Sequence, residues 1–142
     1  MPITITITNR QKRLPIDRRR IRRAIAAIVR DAGFERAAIG VAIVDDLAIA
    51  KLHDQFLDDP TPTDVLSFVL ERSPGELEGE VVASADTACA NAARYHCEPE
   101  EELLRYVIHG MLHLVGYDDA TPTKRAVMRR REKKYLTAGD DR

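Results

Sequence analysis

The stretch LLRYVIHGMLHLVGYDD, Leu103 to Asp119, decides how the rest of the chain is read. At about 100° per residue, Leu104, Val107, Ile108, Met111, Leu112 and Val115 gather on one side of a helix, with His109 and His113 roughly opposite. Pro99 suits the first turn of that helix, and Glu100, Glu101 and Glu102 sit favourably at the positive end of its dipole. Gly116 ends it. A helix with so broad an apolar side needs a layer to pack on, and the upstream sequence supplies one.

Ile3, Ile5 and Ile7 alternate with Thr4, Thr6 and Thr8, a period-two pattern that predicts a strand with one buried face. Asp17 is a plausible N-cap for a helix from Arg18 to Asp31, where Ile21, Ala24, Ile25, Ile28 and Val29 recur at helical spacing. Ile39 to Val44 reads as a second strand, and Asp46 to Phe56 as a short helix preceded by Asp45. After a proline- and acid-rich loop, Val65 to Leu70 is a mostly apolar run that predicts a central strand. Ser73, Pro74 and Gly75 mark a turn before a fourth strand, Gly79 to Ala83, and Ser84 caps a helix to about Cys97. A last helix spans about Thr123 to Leu136, and the tail TAGDDR is expected to fray. Strands alternating with helices, then three helices in succession, predict an α+β fold with a small, mostly parallel four-stranded sheet and about five helices. One domain covers residues 1–142 on this reading.

Composition narrows the function. The formal net charge is only −1, but it is unevenly distributed. Residues 1–36 carry ten basic and three acidic side chains (+7), residues 37–120 four and seventeen (−13), and residues 121–142 eight and three (+5). Basic ends flank an acidic middle. The start MPITITITNRQKR builds no apolar run long enough to insert, so neither a signal peptide nor a membrane span is expected, and the chain reads as cytoplasmic. Cys89 and Cys97 lack zinc-knuckle or redox spacing and read as small buried thiols. With no Trp, three Phe and four Tyr, a large base-stacking platform is excluded, leaving charge and shape for any nucleic-acid contact.

The chemistry concentrates at the two histidines. Four apart on a helix, they project from one face and can share a metal, the spacing logic of the zincin helix. An isolated HxxxH pair is more often two solvated surface histidines. The residues after the pair change that balance. A left-handed Gly116 would turn the chain back and bring Tyr117, Asp118 and Asp119 towards the imidazoles. His109, His113 and Asp119 would then form a two-nitrogen, one-carboxylate site with room for water, as in catalytic zinc centres. Zinc there would lower its water's pKa towards about 7 and orient it for attack on a phosphodiester or acyl centre. Gly110 stands where a zinc peptidase carries its glutamate, so the usual peptidase base is missing.

Three strings carry a resemblance to a known family. His109 to Asp118 matches a HGxLHLxGYDH signature at every specified position, Pro62 to Phe68 reproduces PTDVLSF, and Gly79 to Ser84 is similar to a GDIVIS-like strand. In this the chain resembles the YbeY-type zinc-dependent endoribonucleases, also described as ribosomal RNA maturation factors. There are two departures. The family's third metal histidine falls at Asp119, an acceptable ligand that makes zinc a weaker Lewis acid and admits another divalent metal. Its loop arginine, in an LNxxFR string, falls at Leu57, and losing a guanidinium that meets transition-state charge could cost several kcal/mol.

The resemblance implies a zinc-dependent, single-strand endoribonuclease acting in ribosomal RNA processing and ribosome maturation, with one zinc per chain held by His109, His113 and Asp119. RNA, ribosomal subunits or assembly factors are the implied partners, with no membrane. The general base is open among three carboxylates. Glu80 falls where the family is acidic. Asp64 is either an outer-shell acid holding a ligand histidine or a cap at a strand start. Asp118 reads better as a loop-ordering residue. Arg125, Arg129, Arg130 and Lys133, in the helix after the metal loop, are the candidate RNA contacts; the first basic helix reads as a solvated face. His53 and His96 read as ordinary histidines. Two other readings stand beside this one: a non-catalytic ribosome-assembly RNA-binding protein with a vestigial metal site, and a metal hydrolase of small phosphoesters or amides.

Overall fold

A four-stranded sheet in the order β1-β2-β4-β3 organises the chain. The computed structural model describes residues 2–138. In chain order the elements are β1 (Ile3–Asn9), α1 (Arg18–Asp31), β2 (Arg36–Val44), α2 (Asp46–Leu57), β3 (Val65–Ser73), β4 (Glu76–Ser84), α3 (Ala85–Tyr95), α4 (Pro99–Leu114) and α5 (Pro122–Ala138). β1 runs parallel to β2 and β2 parallel to β4, while β3 joins β4 as an antiparallel hairpin. The fold is therefore the α+β arrangement that periodicity predicts. Thr137 and Ala138, expected to fray, belong to α5; the rest of that tail lies outside the described residues.

Caps set several boundaries. Asp17, Asp45 and Ser84 each accept a hydrogen bond from a backbone N–H three residues on, fixing the starts of α1, α2 and α3. α3 stops at Tyr95 because His96 takes the left-handed conformation, leaving Cys97 exposed and Cys89 only half-buried. The expectation of buried thiols fails for Cys97, which lies beyond α3, and is met only in part by Cys89, which packs at the margin of the core.

β3 corrects a second expectation. Its apolar run predicts a central strand, yet it lies at the sheet edge with Val69 and Leu70 exposed. Apolarity does not say which arm of a hairpin inserts. β4 does, pairing with β2 from Arg36↔Glu76 to Val44↔Ser84 and with β3 on its other side. A register shift between Val69 and Glu71 distorts the exposed edge, as befits a strand that must not pair further.

The sheet's two faces differ. Ile5, Ile7, Ile39, Val41, Leu77 and Val81 pack with α1 and α4 in the main core. The other face presents Thr4, Thr6, Glu78 and Glu80, and α2 covers only one end of it, through Ile49 against Val44, Leu66 and Val82. α4 is buried almost all round rather than along one stripe, because Leu103, Tyr106, Gly110 and Leu114 join the predicted set while Val115 stays half-buried. The sheet and α1, α3 and α5 enclose it, and the histidines occupy its remaining strip.

Candidate metal centre

α4 ends in a reversal that the sequence encodes at one residue. Gly116 adopts φ +114°, its N–H donates to the His113 carbonyl (3.1 Å), and the Tyr117 N–H donates to the Leu112 carbonyl (2.9 Å). This is a Schellman closure, and a side chain at Gly116 would be strained. Beyond it the chain returns along α4. Asp118 accepts from the Ala120 N–H (3.1 Å) and from Lys124 Nζ (3.3 Å), and Arg125 donates to the Asp119 carbonyl (3.3 Å). Thr121 caps α5 through the Lys124 N–H, with Pro122 in its first turn. The loop between α4 and α5 is thus held at both ends.

His109, His113 and Asp119 converge. Nε2 of His113 lies 3.1 Å from Nε2 of His109; the Asp119 carboxylate oxygens lie 3.6 Å from His109 Nε2 and 3.8 Å from His113 Nε2. Ligands about 2.05 Å from a tetrahedral zinc are separated by about 3.3 Å. The three distances straddle that edge length, and two imidazole nitrogens with one carboxylate are a donor set that zinc accepts. The residues fit a divalent ion. All three residues are half-buried, Asp119 the most open of them at its side chain.

The outer part of the site comes from α5. Glu132, 5% exposed, places Oε2 2.6 Å from His109 Nδ1. Arg105 donates to both Glu102 oxygens (3.1 and 2.7 Å) and reaches Glu132 Oε1 at 3.3 Å. Burial alone would lower the His109 pKa; the hydrogen bond and charge of Glu132, with Asp119 and Asp64 adding, outweigh it and hold the ring above the ordinary histidine value. For Asp118, the Ala120 N–H and then Lys124 hold the carboxyl below its usual range. A cavity of about 200 Å³ opens beside His109, bounded by Asp64, Asp119, Arg125, Arg129 and Glu132 among others. A larger cleft of about 680 Å³, with Arg36, Glu71 and Glu78 on its walls, includes none of these residues.

A family model described as Endoribonuclease YbeY matches residues 6–139. This chain belongs to that family. An Endoribonuclease YbeY of Rhodopirellula baltica is 49% identical over 111 residues, covering 77% of this chain and 57% of that relative's length. The YbeY of Salinibacter ruber is 35% identical over 96% of this chain and 92% of its own length, and that of Chloroherpeton thalassium 37% identical over 97% and 95%. Among solved structures, the solution structure of TM1509 from Thermotoga maritima superposes with a TM-score of 0.65 at 27% identity, covering 96% of this chain and 89% of that one.

Within this YbeY fold the sequence-derived carboxylates separate. Glu80 is directed away from the centre: its β4 neighbours Gly79 and Val81 face α4, so Glu80 points to the opposite side of the sheet, where its Cγ lies over Gly40. Asp118 is an exposed loop-ordering residue. Asp64 borders the cavity, but its Oδ1 accepts from the Val65 N–H (2.7 Å) and from Thr63 (3.4 Å), a cap at the start of β3, and the carboxylate bonded to a ligand histidine is Glu132 instead. Of the four basic candidates, Arg125 and Arg129 line the cavity, whereas Arg130 and Lys133 are exposed and are not part of its lining. Arginines of α1 are tied elsewhere: Arg18 and Arg22 donate to the Ile7 and Ile5 carbonyls along the β1 edge, and Arg20 to Glu101. Leu57, at the family's loop-arginine position, is the exposed last residue of α2. Sequence reasoning missed Glu132 and Arg105. One signal was available: Met128, Glu132 and Tyr135 share a helical stripe whose other members are apolar.

Proposed function

We propose that this chain is a metal-dependent endoribonuclease, one catalytic domain over residues 1–142, acting in the cytoplasm on single-stranded ribosomal RNA during ribosome maturation. The observation that carries the reading is the convergence of the His109, His113 and Asp119 ligand atoms within 3.1–3.8 Å, beside a cavity bordered by Arg125 and Arg129. Zinc, when bound by these three side chains, supplies Lewis acidity and a water of lowered pKa. The chain's own groups supply the remainder. Arg125 and Arg129 hold the phosphate that flanks the scissile bond and meet charge as it develops there. Asp64 is the carboxylate best placed to hold a proton at the cavity wall. The few aromatic residues favour recognition through charge and backbone shape, and among the described residues no helix is long and apolar enough to cross a membrane.

Metal analysis of purified protein, paired with RNA cleavage by wild type, His113→Ala and Arg125→Glu/Arg129→Glu, tests the reading. One metal per chain, cleavage lost in H113A, and RNA binding that weakens with salt and with the double charge reversal are expected. Protein that takes up no zinc refutes the centre. Metal uptake without cleavage, but with salt-sensitive binding to ribosomal subunits, favours the assembly-factor reading that the exposed Leu57 supports.

A further inference from the structure

Glu132 and Glu102 are two carboxylates buried to 5% exposure, and they share one guanidinium, Arg105. Burying a carboxylate costs several kcal/mol unless partners compensate it. Arg105 supplies donors to both, through two bonds to Glu102 and one to Glu132. Among the described residues, the one further side chain bonded to Glu132 is His109, through Nδ1 at 2.6 Å. An ionised carboxylate can only accept, so the shared proton belongs to Nδ1 and the Nε2 lone pair is left facing His113 and Asp119. The other nearby acids have different work: Asp64 caps β3, Asp118 orders the loop, and Glu80 faces away.

We infer that Glu132 is a positioning residue for the metal centre: through its bond to Nδ1 it fixes the tautomer and ring orientation of His109, and Arg105 holds Glu132 in place to do so. This rests on His109 being a metal ligand. It makes α5 part of the centre, so the helix that offers Arg125 and Arg129 to substrate also sets the ligand opposite them.

Three variants test it. Glu132→Met removes the acceptor at similar volume and suits the neighbouring apolar stripe, Glu132→Gln keeps an oxygen that can accept from Nδ1–H, and Glu132→Ala removes both. Nitrogen-15 NMR of the metal-free protein, above the pH at which the ring titrates, reads the tautomer directly; competition titration with cobalt(II) reads affinity and the ligand-field spectrum. Wild type should show the Nδ1–H tautomer. E132M and E132A should shift towards Nε2–H, bind cobalt about 10–100-fold more weakly with an altered spectrum, and E132Q should recover most of the loss. A wild-type ring protonated at Nε2, or wild-type affinity and spectrum in a folded E132M, overturns the inference and leaves the centre standing. Failure of wild type itself to bind cobalt removes the centre, and this inference with it.

Discussion

Gly110→Ala is a substitution whose sign depends on whether α4 sits on the sheet as described. In an exposed helix the change would stabilise by about 1 kcal/mol, because alanine loses less backbone entropy than glycine. At Gly110, however, an added Cβ would lie 2.8 and 3.3 Å from the two Val81 methyls and 3.1 Å from Val65 Cγ2. Carbon atoms settle at about 3.5–4.0 Å, so the new methyl is too close by several tenths of an ångström on every side. Val81 cannot retreat: it is fully buried, β-branched, and set in β4 between β2 and β3. Overpacking of this kind costs about 1–3 kcal/mol, and the stiffness of the neighbours argues for the upper half. Set against the propensity gain, the net is a loss of about 1–2 kcal/mol, or a Tm lowered by about 3–8 °C for a chain of this length. Relief requires α4 to lift from β4, moving His109 and His113 relative to Asp119 and Glu132, so cobalt affinity should fall as well. Urea and thermal unfolding followed by circular dichroism measure the first effect. A G110A protein more stable than its parent would refute the packing argument.

Replacing the third candidate ligand should strengthen the centre: Asp119→His supplies a third imidazole, and zinc affinity by chelator competition should rise relative to that for manganese. Equal or weaker zinc binding would mean that the loop fixed by Asp118 and Arg125 cannot present a ring. The pair that straps α5 to α1 gives a pH prediction. Tyr135 donates to Asp31 at 2.7 Å, and its hydroxyl is pushed up to about 12, by burial first and then by Asp31. A raised pKa stabilises below the unfolded value near 10, a contribution lost as pH rises through about 12. Asp31, lowered chiefly by that same hydrogen bond, contributes above the unfolded carboxylate value and loses it as pH falls through its depressed folded one. Tyr135→Phe should therefore flatten Tm against pH between about 10 and 12, and an unchanged slope would show that the hydroxyl titrates as in the unfolded chain.

The parts of this molecule legible in the sequence are those whose causes are local. Ile3, Ile5 and Ile7 alternate because one face of β1 is buried; Asp17, Asp45 and Ser84 cap because their side chains reach an N–H three residues away; Gly116 reverses the chain because it accepts a positive φ. The candidate metal triad is legible for the same reason, since Asp119 comes after His113 by one Schellman turn. Strand order was not legible, because β3 carries the longer apolar run although β4, with Glu76, Glu78 and Glu80, is the strand that lies inside, and only the whole sheet decides between them. Glu132 illustrates the more instructive limit. In the string RRREKK it reads by composition as one charge in a solvated basic run. By period it falls between Met128 and Tyr135, the two residues that anchor α5 to the core, so it must enter the protein with them. On α4, Glu102, Arg105 and His109 keep the same spacing of three and four. A single carboxylate in the apolar stripe of α5 and the charged stripe of α4, on consecutive helices, are satisfied by being buried against each other. The pairing of Glu132 with His109 arises from that geometry rather than from any string of adjacent residues, and it explains why a search by motif finds the three candidate ligands and passes over Glu132.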